Sequence, residues 1–76
     1  MSLFPAIVIG SRVTVADLAR GREQSFVLVE GTGDPLRGAV SSQSPVGRAL
    51  AGHHVGDVVA VSVPAGRREL RVVALA

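Results

Sequence analysis

The chain reads as one small α+β domain, a curved antiparallel β-sheet packed on one short α-helix. Three observations predict it: four segments in which apolar and polar residues alternate, one compact set of helix start and stop signals near the middle, and turn residues between the segments. With 76 residues there is room for a single core. A chain this short hides only about 60–65% of its unfolded surface.

Arg12-Val13-Thr14-Val15-Ala16-Asp17-Leu18 alternates, with Val13 and Val15 on one face and Arg12 and Thr14 on the other, which is the pattern of a half-buried strand. Ala19-Arg20-Gly21-Arg22 supplies a turn, and Glu23–Glu30 returns as a second strand with Phe26 and Leu28 on its inner face. Gly31–Gly38 holds three glycines and an Asp-Pro step and reads as a surface loop. Ala39-Val40-Ser41-Ser42 reads as a short strand.

The helix signal follows. Ser44 suits the N-cap, where its hydroxyl accepts an otherwise unpaired backbone N–H, and Pro45 suits the first helical position, where its missing N–H costs nothing. Val46, Ala49 and Leu50 share a face, and Gly52 closes the helix as the C′ residue. A helix of about two turns needs the sheet beneath it to persist. His53–Gly56 then leads into the strand Asp57–Val63, with Val59, Val61 and Val63 on one face. Pro64–Arg67 turns the chain, and Arg68–Leu75 is the last strand. Two hairpins flanking one helix make an antiparallel sheet that is expected to curl round the helix as a partial barrel.

Composition excludes several classes of function. There is no cysteine, so neither a disulfide framework nor a thiolate metal site is open to the chain. No apolar run approaches the roughly 20 residues of a membrane helix, and Pro5 breaks the apolar opening, which lacks a basic flank and does not read as a signal peptide. A cytoplasmic protein is expected. The formal net charge is only +2, with eight arginines and no lysine, and a charge this small does not by itself define a nucleic-acid binder. Residues 1–8 read as an N-terminal tail, either a remnant or a linker from a preceding segment, and residues 9–76 as the domain.

Ile9-Gly10-Ser11-Arg12-Val13-Thr14-Val15, Ser44-Pro45-Val46-Gly47-Arg48-Ala49-Leu50-Ala51-Gly52 and the following Val55-Gly56-Asp57 resemble the C-terminal domain of the Gre-type bacterial transcript cleavage and elongation factors. Pro64-Ala65-Gly66 stands where that family has a Pro-Gly-Gly turn, with Ala65 departing from it. The resemblance implies an FKBP-like fold and a docking role on bacterial RNA polymerase, at the rim of its secondary channel. In the family, a preceding coiled coil with an acidic tip supports transcript cleavage by the polymerase. This chain shows no heptad pattern and no paired acidic tip, so the resemblance implies docking without cleavage, no enzyme activity and no cofactor. The family's docking loop falls on Ser42, Gln43, Ser44 and Pro45, where a carboxylate or Asn is common at the position of Gln43.

Other side chains have simpler readings. His53-His54 is the only potential metal pair, and adjacent residues seldom aim at one ion, so a solvated turn is expected and no metal site. Arg67, Arg68 and Arg71 are expected along a solvated strand edge, and with no aromatic interleaved they offer no base stacking and no direct sequence-specific nucleic-acid contact. The six carboxylates are scattered, and Asp57 after Gly56 reads as a turn former. Two further classes stay open: a regulator resembling those of nucleoside diphosphate kinase, and an FKBP-type peptidyl-prolyl isomerase, although an isomerase pocket is normally lined by aromatic side chains and this chain has only Phe4 and Phe26. Sheet edges leave a homodimer open as well.

Overall fold

The computed structural model describes residues 5–76. Met1–Phe4 of the expected tail lie outside the described residues. Strand β1 spans Arg12–Asp17 and β2 Arg22–Val29. A 3-10 turn at Pro35–Arg37 leads to β3, Ala39–Ser41, and helix α1 covers Pro45–Leu50. Strands β4, Val58–Val63, and β5, Gly66–Leu75, complete a five-stranded sheet in the order β3-β2-β1-β5-β4. It is a curled half-barrel sheet with one short helix, as the alternation and the cap signals require.

Three of the four strand pairings are antiparallel, and both expected hairpins form: β1 with β2, and β4 with β5 through Pro64 and Ala65. The sheet is nevertheless mixed, because β3 lies parallel to β2, with Val27 beside Ala39 and Val29 beside Ser41. The physical reason lies in residues 30–38. The Asp34 and Ala39 backbones bond each other in both directions, at 2.9 and 3.0 Å, and the Asp34 carboxylate accepts the Leu36 N–H. This closed loop carries the chain back beside Val27, whose N–H donates to the Gly38 carbonyl, so β3 re-enters in the direction of β2.

The concave face holds the core. Val13, Val15, Phe26, Leu28, Leu50, Val59, Val61, Leu70 and Val72 are buried there, as the alternation places them. Val63, the third residue expected on the inner face of β4, lies outside the described side chains. Pairing of β1 with β5 slips one residue between Thr14 and Val15, so that Val73 is extra. Such a bulge sharpens twist, and it lets Leu75 pack against the core after the alternation of Leu70 and Val72 has ended.

The N-terminal boundary is a correction. Ile7, expected in the tail of residues 1–8, is 1% exposed and belongs to the core. Its N–H donates to the His53 carbonyl and its carbonyl accepts from Gly52, both at 2.9 Å, while Gly10 donates to Leu28. A segment this short becomes structural because the turn after α1 presents backbone groups that need partners and the Ile7 side chain joins the buried cluster.

Candidate functional site

The loop that precedes α1 is built by short-range hydrogen bonds. Ser42 N–H donates to the Val29 carbonyl at 2.8 Å, anchoring the loop's start to β2. Gln43 N–H donates to the Ser41 hydroxyl at 3.0 Å. The Ser44 hydroxyl donates to the Ser41 carbonyl at 2.7 Å and accepts the Gly47 N–H at 3.1 Å, so the expected N-cap forms. Pro45 opens the helix from an exposed position. Replacing Ser44 by Ala removes both hydroxyl bonds, and chemical denaturation is expected to show a loss of about 1 kcal/mol.

The structure therefore brings Ser42, Gln43, Ser44 and Pro45 into one rigid loop, with Gln43 and Pro45 facing solvent and Ser42 and Ser44 half-buried as supports. The Gln43 amide oxygen accepts from Arg48 Nη2 at 3.4 Å. At the other end of β3, Leu36 is 98% exposed on its 3-10 turn. The Asp34 carboxylate holds that turn by accepting the Leu36 N–H at 3.2 Å, and no sequence period could reveal this exposed leucine.

Gly47 decides how closely α1 approaches the sheet. A methyl group there would overlap the Ser41 carbonyl oxygen and sit 2.9 Å from the Ser41 carbonyl carbon and the Ser42 Cα. The sequence did hold a signal: a glycine inside a six-residue helix costs about 1 kcal/mol against alanine and needs a packing reason.

The two histidines turn to different partners. His53 Nδ1 lies 3.1 Å from Asp57 Oδ2, and His54 Nδ1 lies 3.0 Å from the Pro5 carbonyl. Asp57 also accepts the His54 N–H at 2.9 Å, which closes the turn as expected. That bond, and the one from His53, hold the Asp57 carboxyl below its usual pKa.

Arg68 is a second correction. Arg67, Arg68 and Arg71 were expected along a sheet edge, but β5 is an inner strand flanked by β1 and β4. Arg68 turns onto the concave side and meets Asp17, with Nη2 at 3.0 Å and Nε at 3.3 Å from Oδ2. Asp17 is 6% exposed, and its other oxygen accepts the Ala19 and Arg20 N–H groups. Its place was legible: Asp17 continues the inward period of Val13 and Val15. The Arg68 hydrogen bond holds its pKa below the ordinary value, against the opposing effect of burial and with help from the two backbone donors. A lowered carboxylate pKa adds stability that is present above the unfolded value, near pH 4, and is lost as pH falls through the folded value. Wild type is expected to lose stability in acid faster than Asp17→Asn, whose deficit at neutral pH shrinks below about pH 4. Parallel acid limbs in denaturation series would contradict this.

Comparisons with known proteins agree with this geometry. The family described as transcription elongation factor, GreA/GreB, C-term matches residues 5–76. Transcription elongation factor GreA of Xylella fastidiosa (strain M12) is 44% identical over 70 residues, covering 91% of this chain and 44% of the relative. GreA of Thermoanaerobacter pseudethanolicus is 40% identical over 67 residues, covering 87% of this chain and 43% of the relative. Among solved structures, GreA factor homolog 1 of Thermus thermophilus superposes with a TM-score of 0.83 at 37% identity, over 99% of this chain and 51% of that one. GreA/GreB of Nitrosomonas europaea gives 0.73 at 27% identity, over 96% and 64%. The chain thus spans less than half the length of the curated relatives it matches. It belongs to the GreA/GreB transcription elongation factor C-terminal domain family. No described helix is long and apolar enough to cross a membrane.

Proposed function

We propose that this domain docks on bacterial RNA polymerase at the rim of the secondary channel, through Gln43 and Pro45 of the Ser42–Pro45 loop. The observation that carries the proposal is the loop itself: two solvent-facing side chains are held on a backbone fixed by four local hydrogen bonds, so little ordering cost remains to be met on binding. Acting in this way the domain is a non-catalytic module of the cytoplasm, and it does not support transcript cleavage alone. The isomerase reading gains nothing from the fold, since Phe26 is the single aromatic among the described residues and it is 5% exposed.

The test is a titration of the purified domain against core polymerase with a full-length Gre factor competing. Competitive binding, weakened at least tenfold by Pro45→Ala with the circular dichroism spectrum unchanged, is expected. A folded domain that fails to bind overturns the proposal.

A homodimer through a sheet edge is a second partner reading, favoured by β4, which has a strand partner on only one side. Its six residues carry no charge to deter pairing. Sedimentation at rising concentration tests it, with a strict monomer as the contrary result.

A further inference from the structure

The fold gathers half of the chain's arginines at one end. Arg20 stands in the β1–β2 turn and Arg22 faces Asp17 across that hairpin. Arg67 and Arg68 follow Gly66 at the start of β5, just after the β4–β5 turn. The two turns are tied together, because Leu18 N–H donates to the Glu69 carbonyl at 3.0 Å and Asp17 grips Arg68. A cleft of about 200 Å³ between the turns is lined by Arg20, Arg67 and Arg68 with Asp17, Ala19, Ala65 and Gly66. A neighbouring groove adds Arg22 and shares Arg20 and Arg68.

The chain's excess of positive charge lies at this end. Four arginines line the cleft and the groove against two carboxylates, Asp17 and Glu23, which leaves +2, while Glu69, next to Arg68 in β5, lines neither. That is the whole formal net charge of the chain, for the other four arginines are matched by the other four carboxylates. Among the described residues, Arg20, Arg22 and Arg67 have no carboxylate within ion-pair distance. Arg68 is fixed by Asp17, yet 39% of its side chain remains exposed.

We propose that this end of the sheet binds the phosphate backbone of duplex DNA without reading its sequence. Planar guanidinium forks match phosphate oxygens in pairs. Ala19, Ala65 and Gly66 let a backbone approach closely, and Phe26 and Leu70 at the floor of the neighbouring groove are buried, so neither offers the large exposed apolar anchor that carries most protein interfaces. No aromatic side chain lines the cleft, so single strands, which depend on stacking, gain little. A duplex presents one charge per about 1.7 Å and needs no ordering. The surface is separate from the Ser42–Pro45 loop and does not depend on the polymerase proposal.

The experiment is fluorescence anisotropy of a short labelled duplex titrated with the domain. Three free arginines predict a log–log salt slope near −3, or roughly a fortyfold loss of affinity between about 50 and 200 mM salt. R20E/R67E is expected to abolish binding. R12E/R71E, the same change of charge on exposed arginines elsewhere, is expected to weaken it far less. Circular dichroism is expected to show both variants folded, since among the described residues none of these four side chains makes a hydrogen bond or ion pair. Equal losses in the two variants, a flat salt dependence, tighter binding of a single strand of equal length, or displacement of the duplex by an acidic peptide of equal charge would each overturn the proposal.

Discussion

Replacing Gly47 by Ala is expected to destabilise the domain by about 3 kcal/mol or more. On an exposed helix the same change adds about 1 kcal/mol of stability, because alanine is the better helix former. Here the added methyl would overlap the Ser41 carbonyl oxygen, and the nearest atoms around it are all main chain. A side chain can rotate away from an intruding methyl, whereas β3 cannot move without breaking its ladder with β2. Relief would lift α1 and with it Leu50, the fully buried last residue of the helix. A domain of this size has about 4–11 kcal/mol in total at typical values per residue, so the loss is a large fraction of it. The chain has no Trp or Tyr, and far-UV circular dichroism in urea is the suitable readout. A midpoint at or above wild type would show that α1 is not held at this distance. Since the same backbone carries Ser42 and Gln43, the variant is also expected to lose whatever partner the loop binds.

The second large effect is expected at Ile7. Truncation to Ala removes a fully buried branched side chain, at a cost of about 2–5 kcal/mol. Deleting residues 1–8 is expected to do at least as much harm, since it also strips the partners from His53 and Gly52. Thermal unfolding of the deletion against the intact chain measures it directly. Equal melting temperatures would restore the reading of residues 1–8 as a tail and place the boundary at Ile9.

Most of the strands were legible from local pattern. Val13 with Val15, Phe26 with Leu28, and Val59 with Val61 all face inward as their period of two requires. The helix start was legible atom by atom, because a serine followed by a proline has one favourable use there, and Gly52 stands after the helix with φ +83° as a C′ residue should. The loop residues Ser42, Gln43, Ser44 and Pro45 were placed by a family motif, and the structure adds how each is held.

What pattern alone decided, then, is which residues form strands, which face of each is apolar, and where the helix begins and stops, because these follow from interactions within a few positions along the chain. Only the tertiary structure decided the parallel seat of β3, the burial of Ile7 and the need for glycine at 47. It also turned Arg68 onto Asp17 and joined two distant hairpin turns into one cationic end. Each of those depends on segments that meet across the fold, with 51 positions separating Asp17 from Arg68. Contacts of that range are set by how the sheet curls and by which gaps the core leaves, and no local period carries that information.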